Sequence, residues 1–281
     1  MELSLSCGKK EHMIVFLRKR IMSSWANLRS ASLRKKPEPT IRYYFSSSST
    51  DYYSATLAFL YSILYCQRSA EAFYVYDTEG FFQPLLNTSP VIHYLKEAPS
   101  SGTNLYDEQV QVVPVLSSLS YTNLKRNIKA LYTLNSETNA KLDAFLSNFG
   151  VIKQQYDVGL ILENPTDVAA SISGIKLLQK RIGKKTLNIF VATDNIDLLR
   201  QFAEKGDPSW SYMSMMRQNS PTDKQYNLLK CLAELSILQK INFLAFRFSS
   251  PFAKLLYLTS ENVNTESQVV SLDGASWKAF S

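Results

Sequence analysis

Histidine is nearly absent from this chain. Two occur in 281 residues, His12 and His93, so a metal cluster or a proton relay built on several histidines has no material. The three cysteines, Cys7, Cys66 and Cys231, lie far apart and form no CxxC pair. That excludes a disulfide framework and a cysteine zinc site, and it suits a reducing compartment. Long apolar runs are missing too: no stretch approaches the ~18 uncharged apolar residues of a membrane span. Met13–Leu17 is too short for a secretory signal, and Glu2 and Glu11 speak against a transit peptide. The expectation is a cytoplasmic protein of microbial or viral type.

The body of the chain also lacks net charge. Residues 1–40 hold nine Lys/Arg against three acids, a net +6, whereas the other 241 residues hold 22 against 21, a net +1. The overall +7 therefore describes a basic N-terminal segment, and no nucleic-acid-binding face is expected. Met13–Lys36 has the character of a basic amphipathic helix, so peripheral membrane contact through residues 13–36 is one reading and a solvated first helix is the other. Lys35–Pro39 reads as a linker. What is plentiful is apolar and aromatic matter: 45% hydrophobic residues, with sixteen Tyr and fifteen Phe, enough for a large core.

Along the chain, β-prone runs alternate with helical spacing. Ile41–Phe45, Phe73–Tyr76 and Gln109–Val115 are strand candidates in the first half. Tyr52–Cys66, Leu119–Tyr132 and Thr138–Phe149 have helical periodicity, and Gly150 follows as a C-terminal stop. In the second half, strands over Val158–Leu162, Leu187–Ala192 and Phe243–Phe248 alternate with helices over Ala169–Ile182, the segment after Asn195, Asp223–Lys240 and Pro251–Ser260. Such alternation predicts an α/β fold with parallel sheets. The expected organisation is a basic segment, 1–40, an N-terminal lobe on the acceptor side, 41–150, and a C-terminal lobe on the nucleotide side, 151–281, with a cleft between the lobes.

One turn stands out. In Asn242–Lys254 an apolar run ends at Ser249 and Ser250, and Pro251 opens a helix with Phe252, Leu255 and Leu256 on one face. Serine caps helices and proline suits the first helical position. Free amides and the dipole of a helix start form an anion site, which in a parallel sheet lies where ligands bind. The plain alternative is an ordinary capped turn.

The segments 131–150, 189–195 (IFVATDN), 232–257 and 271–277 (SLDGASW), in that order, resemble the fucosyltransferase-like group of GT-B glycosyltransferases. The resemblance is best over residues 131–277. It implies two Rossmann-like lobes with parallel sheets facing a central cleft, and transfer of one sugar from GDP-fucose to a glycan. It also implies that Ser249, Ser250 and Pro251 contact the donor diphosphate, with Lys254 as a nearby cation. Glu234 would pair with guanine from the edge of an apolar helix face, without burying its charge. Asp194, after Thr193, matches the group's ATD aspartate; its alternative role is a helix cap.

The chain departs from the group at its His-x-Arg-Arg element. Ile161 stands for the histidine, and Glu163 and Asn164 stand for the arginines. A glutamate cannot neutralise a departing diphosphate. Another base would have to serve (Lys153, Arg217, Arg247 or Lys254), or the donor differs, for instance a UDP-pentose such as UDP-xylose. Glu163 is then a candidate general base for an acceptor hydroxyl, and His93 a second. The expected partners are a nucleotide-sugar donor and an oligosaccharide or glycoprotein-glycan acceptor, with no nucleic acid, no cofactor and no metal. Two other readings stay open: a metal-dependent transferase using Asp77 and Glu79, and a non-catalytic binding protein on a transferase scaffold.

Overall fold

The second-half strand Val158–Ile161 is buried at every position, with no polar alternation. That is the signature of a parallel strand covered on both faces. The computed structural model to which it belongs describes residues 41–47, 51–77, 82, 92–107, 116, 119–149, 154–215 and 224–276, the side chains of 224 and 225 excepted. The expectations for residues 1–40, Gln109–Val115, Gly150, Lys153, Arg217, Glu79 and Trp277 fall outside these.

The described elements run β1 (Tyr43–Phe45), α1 (Tyr52–Ser69), β2 (Phe73–Val75), β3 (Ile92–Tyr94), β4 (Thr103–Asn104), α2 (Tyr121–Leu131) and α3 (Ser136–Phe149). They continue with β5 (Val158–Ile161), α4 (Asp167–Ile182), β6 (Leu187–Ala192), α5 (Ile196–Lys205), β7 (Trp210–Met213), α6 (Lys224–Leu238), β8 (Leu244–Phe246), α7 (Pro251–Thr259) and β9 (Val269–Ser271). Local signals explain several boundaries. Asp51 caps α1 by accepting from Tyr53 N at 3.0 Å and Ser54 N at 3.3 Å. Asn135 accepts from Thr138 N at 2.7 Å at the start of α3. Gly183 ends α4 with φ of 75°, a left-handed conformation that glycine adopts without steric cost.

Among the described residues all strands pair in parallel, in two sheets of order β3-β2-β1-β4 and β7-β6-β5-β8-β9. In each sheet the chain winds outward from a central strand and then reverses, at β1/β4 and at β5/β8. The carboxyl ends at such a reversal form a crevice where α/β proteins bind ligands. Close approach of the layers is visible at Gly159, where a Cβ would lie 2.5 Å from Leu238 Cδ2 and 2.8 Å from Leu244 Cδ2.

One hydrophobic cluster spans both sheets: Phe45, Phe59 and Phe73 join Leu235, Phe252 and Leu255 through the packing of α1 on α7. A second cluster, with Val158, Leu160, Ile175 and Phe202, covers the other face of the second sheet. Each such fully buried side chain contributes roughly 1.5–3 kcal/mol. The two halves of residues 41–281 are thus joined by packed core as well as facing across a cavity.

Candidate functional site

A cavity of about 330 Å³ opens at the carboxyl ends of the second sheet, at the small end of the range for ligand pockets. Glu163 follows β5, Thr193 and Asp194 follow β6, Glu234 comes from α6, Phe252 from the first turn of α7, and Asp51 from the loop after β1. Loops after the reversal strands of both sheets therefore meet in one place. Four of the sequence-selected residues, Glu163, Thr193, Asp194 and Glu234, line the cavity together. Tyr53 closes one wall, its ring stacked on Phe252 with centroids 4.0 Å apart and planes within 5°.

Glu234 departs from the sequence expectation. Its charge is not kept at an edge: the residue is 3% exposed. Lys230, one helical turn earlier, places Nζ 3.4 Å from Glu234 Oε1 and also bonds the exposed Asp194 carboxylate. The Lys230 contact offsets charge, yet Oε1 has no hydrogen-bond donor. Burial lifts the carboxyl to about 7, against the lowering pull of Lys230 and with a further push from Asp194. A buried carboxyl with a shifted titration, lining a cavity and held by one long ion pair, is a marker of function. Cys231 beside it is inert, its thiol pushed up to about 11 chiefly by burial.

The Ser249–Ser250 turn caps α7 as its sequence indicates. Ser250 accepts from Ala253 N at 3.3 Å, and Pro251 takes the first helical position. Several of the donors of this turn are engaged within the chain. Phe248 N and Ser249 N donate to Asp273 at 3.3 and 3.0 Å, and Ser249 Oγ does so at 2.8 Å. Ser250 N bonds Arg247 O at 3.1 Å, and Pro251 has no N–H. Ser250 Oγ donates to Glu163 Oε1 at 2.7 Å. The positive end of α7 is thus faced by the chain's own carboxylates, Glu163 and Asp273. Burial raises the Glu163 carboxyl, against its bond from Ser250, and Asp167 and Asp51 raise it further.

Asp273 was not singled out in the sequence. Its Asp–Gly turn is a local signal, but nothing nearby in the chain reveals its bonds to residues 24 and 25 positions away. Ser271 Oγ at 2.7 Å and Ala275 N at 3.2 Å complete its donors. Against desolvation, these bonds hold its carboxyl well below the usual range. Its contribution to stability is present above the ordinary aspartate value of 3.8 and is lost as pH falls below it. Asp273→Asn is expected to flatten the acid limb of a stability-against-pH curve; an unchanged limb in urea titrations would contradict the assignment.

Other candidates lie elsewhere. Arg247 is committed to the buried Asp167 at 2.8 Å. Lys254, on α7, has its amine lowered by burial and is not in the cavity wall. Asn195, not Asp194, caps α5, accepting from Asp197 N at 2.9 Å. His93 sits exposed on edge strand β3, stacked on Tyr74, and is not in the cavity wall. Asp77 accepts from Phe82 N at 2.9 Å. A larger hollow, about 640 Å³, lies at the opposite, amino-terminal strand ends. There Asp157 is already engaged by Lys184 at 2.6 Å and Asn188 N at 2.9 Å, so the smaller cavity has the better claim to a ligand.

In fold the chain is similar to solved fucosyltransferases. Solved structures similar to it include a NodZ α-1,6-fucosyltransferase soaked with GDP-fucose, at a TM-score of 0.53 and 12% identity over 78% of this chain and 93% of that one. The Se-Met fucosyltransferase NodZ from Bradyrhizobium gives 0.51 and 11%, over 77% and 91%. NodZ co-crystallised with GDP gives 0.50 and 14%, over 77% and 92%. No family model and no curated protein sequence matches the chain. At such identities the likeness speaks for the fold.

Proposed function

We propose that the chain transfers one monosaccharide from a nucleotide-diphosphate sugar to a glycan acceptor. The observation that carries this is the buried Glu234 carboxylate, held only by the long Lys230 contact at Oε1, in a cavity at the strand reversal. Solved proteins of this fold were determined with GDP or GDP-fucose. A carboxylate is a bidentate acceptor for the ring N–H and amine of guanine, which makes GDP-fucose the first donor to try and a UDP-pentose the rival. In this reading the donor's phosphate end would lie toward Ser250 and the start of α7, where it would have to displace or share the bonds now made to Glu163. The transition state would have oxocarbenium character, so rate enhancement rests on positioning and on stabilising the leaving diphosphate.

The experiment is a thermal-shift screen of GDP- and UDP-sugars, followed by a transfer assay with oligosaccharide acceptors. A donor at a hundred times its Kd adds roughly 2.7 kcal/mol, a clear rise in melting temperature. A chain that no nucleotide sugar stabilises would remove the proposal. The acids around the start of α7 favour a second reading, a non-catalytic binder. It predicts stabilisation by a nucleotide sugar with neither transfer nor donor hydrolysis.

A further inference from the structure

A buried lysine is costly to fold unless its charge is paired. Lys230 is such a residue, one helical turn before Glu234 on α6, with its side chain buried. Its Nζ lies 3.4 Å from Glu234 Oε1 and donates to Asp194. Both acids line the cavity, Glu234 buried and Asp194 exposed, whereas Lys230 stands behind the wall. The contact with Glu234 is long, and a carboxylate offers about four acceptor sites. Glu234 can therefore keep this cation and still accept N–H groups from a base.

We infer that Lys230 is a positioning residue for nucleotide binding: its ammonium keeps the Glu234 carboxylate charged and in place for the base, and Asp194 anchors that ammonium from the cavity side. The inference rests on the nucleotide-sugar reading. An ionised carboxylate accepts N–H groups through both oxygens, whereas a protonated one carries a donor of its own that opposes them. Burial drives Glu234 toward the protonated form and Asp194 adds to the push, while Lys230 opposes both. A charge at this distance ordinarily moves a carboxyl by about 1–3 pH units, so without Lys230 the group would rise from about 7 and be mostly protonated at neutral pH. The other groups facing Glu234 are Cys231 on α6, Tyr53 on α1 and, around the cavity, Glu163 and Asp51. Burial pushes the Cys231 thiol to about 11 and the Tyr53 phenol well above its ordinary range, so neither titrates near neutrality. Glu163 is raised by burial as well, but its neighbours are Ser250, Asp167, Asp51 and Arg247, so a change that follows Lys230 reports Glu234.

GDP and UDP are titrated by calorimetry from about pH 5.5 to about 8.5 into the wild type, Lys230→Met and Lys230→Gln. Wild-type affinity should rise through about pH 7 and level off by about pH 8.5. A rise of one unit in Glu234 takes its ionised fraction at pH 7 from about one half to about one tenth, so each neutral variant should bind at least about fivefold more weakly there. Both variants should still be gaining affinity at about pH 8.5. Titration of the diphosphate itself is common to the three proteins and cancels in the comparison. A loss equal at every pH would make Lys230 a packing residue and overturn the inference, and so would a wild-type affinity that is flat from about pH 6 to 8. Coincident profiles for wild type and variants would overturn it and leave the nucleotide reading standing. No binding of either nucleotide by the folded wild type would overturn both.

Discussion

Replacing Lys230 by methionine is expected to destabilise the chain by about 1 kcal/mol at pH 8 through Glu234, because a carboxyl already lifted to about 7 takes a proton once its partner is gone, and that costs roughly 1.4 kcal/mol per pH unit. The stranded group is Glu234, whose side chain is 5% exposed against 8% for Lys230. For a domain of this size the loss lowers Tm by about 2–4 °C. The penalty should shrink at pH 5, where Glu234, already lifted to about 7 with Lys230 present, takes a proton and has no charge to strand. Asp194 contributes little to either value, because its side chain is 93% exposed and its bond to Lys230 is screened. Urea denaturation at the two pH values checks this. Equal losses at both would mean that Lys230 acts through the packing of its stem alone.

The second large effect has the opposite sign. Glu234→Gln is expected to leave the chain more stable at pH 8, by roughly 1–3 kcal/mol, while it loses nucleotide affinity. The sign follows from the direction of the shift. A carboxyl raised from 4.5 to about 7 holds its proton more firmly when folded than when unfolded. It therefore favours folding at low pH, and that contribution declines as pH rises from 4.5 through about 7, leaving a buried charge at pH 8. Glutamine abolishes that slope. Lys230, whose amine is raised because Glu234 and Asp194 outweigh its burial, titrates in the alkaline range and does not enter this window. Denaturation curves from pH 5 to 8 would show a sloping wild type and a flat variant; parallel slopes would sink the assignment.

Much of the architecture was legible because it rests on local signals. The runs at Tyr43–Phe45, Phe73–Val75, Val158–Ile161, Leu187–Ala192 and Leu244–Phe246 are strands, and the periodic segments between them are helices. The strands without such signals were not read. Ile92–Tyr94 is largely exposed, Thr103–Asn104 has two residues, Trp210–Met213 mixes polar and aromatic side chains, and Val269–Ser271 is three residues long. Their strand character comes from the neighbours with which they pair, for example Trp210 with Leu187 and Val269 with Leu244.

The site divides along the same line. Ser250 as cap and Pro251 at the helix start follow from neighbours in the chain, and the structure has them so. Glu163, Thr193, Asp194 and Glu234 were selected one by one, and folding brings them to one cavity. What the sequence concealed was the balance of charge. The Lys230–Glu234 spacing of one helical turn was available as a clue, but its burial depends on α6 lying under both sheets' shared core. Asp51 caps α1, a local role, and its place in the cavity wall is a long-range outcome of folding. Asp273 and the Tyr53–Phe252 stack are long-range contacts with no local pattern at all.

The account stands on the cavity at the strand reversal receiving a nucleotide through Glu234. Its most direct measurement is calorimetric titration of GDP, then UDP, at pH 8, above the value of about 7 to which Glu234 is lifted, into the wild type and Glu234→Gln. Saturable binding of one nucleotide by the wild type, weakened at least about tenfold in the variant, is the predicted result. Binding of equal strength by the two proteins, or no binding by a folded wild type, would contradict it.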